Sequence, residues 1–137
     1  MKAIAYRSAP KQLAQEMEIR DHRLVSDEPA DKGGEDRGPT PQELLAGSLA
    51  ACTAITVEMY ARRKEWDLGE VEVECEYGEA EKGKPTVFRL ALRLPGGLAP
   101  EQVERLALIA AKCPVHRTLE GEVKFEQRVE LVEPATG

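Results

Sequence analysis

An α+β fold with a mostly antiparallel sheet follows from three observations. Residues 38–64 read as one long, capped helix with almost no charge along its body. Residues 70–77 and 86–94 alternate apolar and polar and are joined by a short loop, which makes them an antiparallel pair. Shorter alternating stretches precede the helix, and a second helix and one more alternating stretch follow the pair. Strands, long helix, two strands, helix, strand is an α+β order. At 137 residues the chain is expected to form a single domain, residues 1–137, large enough to bury a core.

From the start of the chain, Lys2–Arg7 alternates loosely and reads as an edge strand. Ser8-Ala9-Pro10 turns the chain. Gln15–Arg20 sets Met17 and Ile19 against Glu16 and Glu18, a half-buried strand. Asp21-His22 reads as a tight turn, and Arg23–Ser26 completes a meander. Residues 27–39, DEPADKGGEDRGP, show no periodicity and form a loop longer than a connector requires.

Thr40-Pro41-Gln42-Glu43 starts the central helix. Thr40 caps the orphan N–H groups, Pro41 suits the first helical position and Glu43 completes a capping box. Leu44 to Val57 carries no charge over fourteen residues, short of the eighteen or more that a membrane span needs. Apolar or small residues on nearly every face predict a helix wrapped by protein. Ala46, Gly47, Ser48, Ala50 and Ala51 let another backbone come close, which suggests helix–helix contact across a dimer interface. Arg62, Arg63 and Lys64 suit the negative end of the helix dipole.

Val71, Val73, Cys75 and Tyr77 share one face of the next strand, and Leu90, Leu92 and Leu94 one face of its partner. Pro95-Gly96-Gly97 breaks the second strand. Pro100 opens a helix with Val103, Leu106, Ala107 and Ala110 at helical spacing, and Pro114 ends it. A short helical turn is expected over Pro114–Leu119, stopped by Gly121. Glu122–Val132 alternates, with Val123, Phe125, Val129 and Leu131 inward, and reads as a final strand. Pro134 onward reads as a frayed tail.

Composition narrows the function. A net charge of −6 argues against nucleic-acid and anionic-membrane partners, which need a basic face. Six aromatic residues are too few for base stacking. The opening residues, MKAIAYRSAPKQ, lack the apolar core of a secretory signal, so a cytoplasmic location is expected. Three cysteines make no disulfide framework there, and attention turns to reactive thiols.

The three thiols differ. Cys75 is in phase with Val71 and Val73 and reads as a small core residue. Cys52 lies about three turns into the central helix among alanines. That setting disfavours the thiolate, and taken alone it also fits a plain core cysteine. Cys113 precedes Pro114 and so takes the cap position of the short helix, where N–H groups favour a negative sulfur; Lys112, His116 and Arg117 add positive charge nearby. Its plain alternative is a helix-end cysteine. One buried and one helix-end thiol suit two-step redox chemistry, in which a sulfenic acid on one sulfur condenses with the other. Cys113-Pro-Val-His116 lacks a second ligand pair at metal spacing, so no metal and no bound cofactor are expected.

The stretch GPTPQELLAGSLAACTAITVEM resembles the first cysteine motif of the OsmC/Ohr family, the osmotically inducible and organic hydroperoxide resistance proteins. AAKCPVHRTLEG resembles its second cysteine motif, and with the strand order the likeness covers nearly the whole chain. The resemblance implies an entwined homodimer with two long central helices. It implies a thiol-dependent peroxidase acting on organic hydroperoxides and recycled by an external dithiol. By that analogy Cys52 is the attacking thiol and Cys113 the resolving thiol, Glu43 matches a family glutamate, and an arginine before the helix holds the thiolate. Arg37 is the first choice for that arginine and Arg23 the second. Glu43 lies nine residues from Cys52, about 13.5 Å along a helix, so it would serve the partner's site. Thr53 stands where the better-characterised branches carry an aromatic residue, and the sequence looks closer to the YhfA-like branch. That departure keeps a non-enzymatic redox-sensing or small-molecule-binding protein as the alternative.

Overall fold

The computed structural model of the chain describes residues 1–133; the expected tail from Pro134 lies outside them. Strands β1 (Ile4–Arg7), β2 (Gln15–Ile19) and β3 (His22–Ser26) form one antiparallel sheet in that order. Helix α1 spans Pro41–Arg63, strands β4 (Glu72–Glu76) and β5 (Arg89–Arg93) form a second antiparallel sheet, and α2 (Pro100–Ala110) and α3 (Pro114–Glu120) follow. The α+β class with antiparallel sheets and a long central helix is as expected.

The β2–β3 hairpin turns one residue earlier than the sequence reading placed it. Ile19 pairs with His22, so Arg20 and Asp21 make the turn, and Arg20 takes the left-handed φ of 54° that so tight a hairpin demands. The loop after β3 is built around a buried side chain, Asp27. Its carboxylate accepts the backbone N–H groups of Glu28 at 2.8 Å and of Glu35 and Arg37 at 3.1 Å each. Gly34 and Gly38 have no room for a side chain: a Cβ would run into the carbonyl oxygens of Glu28 and Val25 respectively. The loop is therefore a fixed shape that delivers the chain into the cap of α1.

That cap forms in full. Glu43 N–H donates to Thr40 Oγ1 at 3.1 Å, and Thr40 N–H donates to Glu43 Oε1 at 2.8 Å. The main core gathers at the far end of α1, where Val57, Tyr60 and Ala61 pack with Leu68, Leu106 and Ile109. Arg105 of α2 clasps this end by donating from Nε to the Tyr60 hydroxyl at 2.9 Å. On α2 the buried pair is Leu106 and Ile109, whereas Val103 and Ala107 face outward. At the other end, the Tyr77 hydroxyl donates to the Gln42 carbonyl at 2.8 Å and holds the β4–β5 hairpin against the start of α1. Cys75 pairs with Leu90 across that hairpin and is half-buried, close to the core role expected of it.

Two expectations change. Helix α1 is apolar on every side, as its sequence says, yet within one chain it is covered on one face only. Leu49, Thr53, Val57, Tyr60 and Ala61 are buried, while Leu45, Gly47, Ser48, Ala51, Ile55 and Met59 are exposed. Residues 122–132, expected as a last strand, form no ladder with any other described segment. Phe125 is 91% exposed and Leu131 96%. A strand exists only through a ladder with a partner and a cover for its apolar side, and within the single chain this segment takes up neither.

Candidate active site

Helices α1 and α3 meet at the middle of α1, and there the two motif cysteines come together. Cys113 has extended backbone, φ −63° and ψ 142°, because Pro114 excludes the helical region for the residue before it. Pro114 opens α3, which makes Cys113 its cap residue: His116 N–H donates to Cys113 Sγ at 3.2 Å. The sulfur is fully buried. On its α1 side stands Thr53, itself buried, whose hydroxyl lies 2.9 Å from the Leu49 carbonyl and 3.8 Å from Cys113 Sγ.

Cys52 is half-exposed. Burial pushes its thiol pKa up, and hydrogen bonding to Cys113 pushes it further in the same direction. The Val115 backbone N–H and the Thr56 hydroxyl pull it back, but the net shift is upward. The expected meeting of Cys52 and Cys113 is thus present, although the two are far apart in sequence. The reachable sulfur belongs to Cys52 and the enclosed one to Cys113.

The other three candidates are placed elsewhere in the single chain. Arg37 donates from Nη1 to Gln12 Oε1 at 3.1 Å, and its backbone N–H goes to Asp27. Arg23 pairs with Glu18 at 2.9 Å on the open face of the first sheet. Glu43 is held in its capping box at the start of α1, nine residues before Cys52. The sequence reading missed Val115 and Thr56 as neighbours of Cys52. Helical spacing had a signal for Thr56, which lies one turn after Cys52. For Val115 there was none, because a backbone N–H is the same in every residue. It also missed Asp27, whose only trace is a loop rich in glycine.

A cavity of about 670 Å³ opens between α1, the β4–β5 hairpin and α3; neither thiol lines it, and its wall comes nearest to them in sequence at Leu49 and His116. Leu45 and Leu49, Phe88 and Leu90, and Leu119 give it a mostly apolar wall, with His116 and Glu120 at one side. His116 Nε2 is 3.1 Å from Glu120 Oε1. Among the described residues, no cluster of three or more His, Cys, Asp or Glu side chains is arranged to hold a metal ion.

The family model for OsmC-like protein matches residues 33–128. No curated protein matches the chain. Among solved structures, the chain is similar to an osmotic stress induced and detoxification response protein from Psychrobacter arcticus. That likeness has 21% identity and a TM-score of 0.73, over 85% of this chain and 86% of the other. It is also similar to an organic hydroperoxide resistance protein OsmC from Legionella pneumophila, at 24% identity and TM-score 0.63, covering 88% and 90%. A third likeness, at 24% identity and TM-score 0.63 over 88% and 85%, is to an organic hydroperoxide resistance protein from Vibrio cholerae with captopril bound in one of its active sites.

Proposed function

The chain belongs to the OsmC-like protein family, and on that premise we propose that it is a thiol-dependent peroxidase reducing organic hydroperoxides. The observation that carries the reading is the thiol pair: one reachable sulfur and one enclosed sulfur, brought close enough by α1 and α3 for Cys113 to push the Cys52 pKa up. The Cys52 thiolate attacks the terminal peroxide oxygen, the O–O bond breaks, and the alkoxide leaves as the alcohol after taking a proton. Cys52 is left as a sulfenic acid. The Cys113 thiolate then attacks the Cys52 sulfur, an S–S bond forms, and hydroxide leaves as water. An external dithiol returns both sulfurs to thiols by exchange. The apolar cavity walled by Leu49 of α1 and His116 of α3 receives the organic part of the peroxide, which favours a greasy substrate over hydrogen peroxide. The hydroperoxide-resistance names of the Legionella and Vibrio structures support the same substrate class.

A homodimer supports this chemistry in two ways. The bare face of α1 and the unpaired 122–132 segment are surfaces that a second copy would cover. The partner can also bring a guanidinium, from Arg37 or else Arg23, to the Cys52 thiolate, with its Glu43 orienting that arginine. We place the protein, as one OsmC-like domain, in the cytoplasm, where thiols are kept reduced between turnovers.

One observation favours a second reading, a redox sensor or small-molecule binder without turnover: the upward shift of the Cys52 thiol makes it a slow nucleophile unless a cation arrives. Stopped-flow oxidation with cumene hydroperoxide, wild type against Cys52→Ser, separates the two. Rapid consumption that the substitution abolishes is expected of the peroxidase. Equally sluggish oxidation in both proteins rejects it in favour of the sensor.

A further inference from the structure

We infer that Thr53 is a positioning residue for the Cys113 sulfur, acting through its hydroxyl as a donor that switches partners when Cys113 loses its proton. The inference rests on the peroxidase reading for its place in a cycle, and on geometry alone for the contact. Thr53 directly follows Cys52 on α1, so the residue that carries the attacking sulfur and the one that faces the second sulfur are adjacent. Its side chain is buried, and Oγ1 lies 2.9 Å from the Leu49 carbonyl and 3.8 Å from Cys113 Sγ. A hydroxyl has one proton to give and two lone pairs that accept.

With Cys113 neutral, the Thr53 proton rests on Leu49, the shorter contact, and Oγ1 is free to accept the Cys113 S–H. With Cys113 ionised, a bond to a charged sulfur outweighs one to a carbonyl that already takes a helical N–H. The proton then swings to the sulfur with no movement of the side chain. Together with the His116 N–H at 3.2 Å, it gives a fully enclosed thiolate two donors from two helices.

The step this serves is closure of the disulfide. The Cys113 S–H loses its proton, its electron pair attacks the sulfenic sulfur of Cys52, the S–S bond forms, and the S–O bond breaks. Hydroxide leaves and is protonated to water. No further oxidant is needed, since the peroxide oxygen has already taken the two electrons. Few other titratable groups face this sulfur. Cys52 lies on α1. Of its own segment, Lys112 and Arg117 are exposed, and the ring of His116 is turned to Glu120 at 3.1 Å.

Thr53→Val keeps the shape of the side chain and removes the hydroxyl; Thr53→Ser keeps the hydroxyl and removes a methyl group. Each is mixed with one equivalent of cumene hydroperoxide, the Cys52 sulfenic acid is trapped with dimedone at intervals, and loss of free thiols reports closure. Closure in Thr53→Val is expected to slow about threefold: one hydrogen bond to a charged group makes the thiolate about tenfold scarcer, and the greater nucleophilicity of a more basic sulfur offsets part of that. The midpoint of its pH–rate profile should rise, and Thr53→Ser should restore both. Closure at the wild-type rate and midpoint in Thr53→Val, or no recovery in a folded Thr53→Ser, overturns the inference. If the wild type forms no sulfenic acid, the peroxidase reading fails by itself. The contact is then decided by equilibrating the Cys52–Cys113 disulfide, made with diamide, against dithiothreitol at alkaline pH. There Thr53→Val must favour the disulfide by about tenfold, and an unchanged equilibrium constant sinks the inference.

Discussion

Cys52 holds its proton because its surroundings are apolar and because its S–H has a sulfur to bond to. The first disfavours the charged form and the second favours the neutral one, so both set a pH dependence of the same sign: the reactive thiolate is scarce at neutral pH and accumulates only as pH rises. A guanidinium supplied across the proposed dimer would move this titration down. Replacing the supporting arginine should therefore raise the midpoint of the pH profile for Cys52 alkylation by iodoacetamide. Arg37→Met is expected to raise it and Arg23→Met to leave it in place; the reverse result would transfer the role to Arg23. At this scale the sequence was informative about chemistry and poor about neighbours. Cys113 was legible because Pro114 dictates its backbone and hence its capping position. Thr53 was visible only as a departure from a pattern. Its meaning depends on which way a helix face points, and α1 carries apolar residues on all faces, so periodicity gave no direction.

Local chemical signals made the start of α1 the most legible element. Thr40, Pro41 and Glu43 are read from spacing alone, and the reciprocal bonds form at 3.1 and 2.8 Å. Thr40→Ala should cost about 1 kcal/mol in urea unfolding, whereas Gln42→Ala, beside it and exposed, should be nearly neutral. The loop before it was the least legible, since its shape rests on one buried carboxylate and two crowded glycines. Burial works to raise the Asp27 pKa, but the N–H groups of Glu28, Arg37 and Glu35, with the Arg37 charge, outweigh it, and the net direction is down. A carboxylate lowered in the folded state contributes stability that is present above its unfolded pKa and lost as pH falls through its folded value. The wild type should thus lose stability on acidification below the ordinary aspartate range, and Asp27→Asn should flatten that part of the pH–stability curve. An equal acid slope in the variant would show that the three N–H bonds do not set the loop's stability. Residues 122–132 teach a different lesson. Their alternation is genuine, but a strand is a property of a pair, and one sequence carries no information on whether its partner lies in the same chain.

For the molecule as a whole, the apolar side chains left uncovered are too well ordered in sequence to be incidental. Ile55 and Met59 are 58% and 60% exposed, one turn apart on the bare face of α1, with Ser48 and Ala51 opening space beside them. Contiguous apolar surface of this kind marks an interface. The two possibilities make opposite predictions for a single substitution. If α1 faces water, Ile55→Asp exchanges one exposed side chain for another and changes stability by less than about 0.5 kcal/mol. If a second copy of α1 covers it, the same change buries an unpaired carboxylate and separates the subunits. We expect the wild type to sediment as a dimer at micromolar concentration and Ile55→Asp as a monomer, with peroxide consumption falling as the dimer is lost, because the arginine beside Cys52 would leave with the partner. A wild-type monomer that still consumes cumene hydroperoxide rapidly would remove the need for that partner and require the thiolate to be stabilised within one chain, by Thr56 and the Val115 N–H.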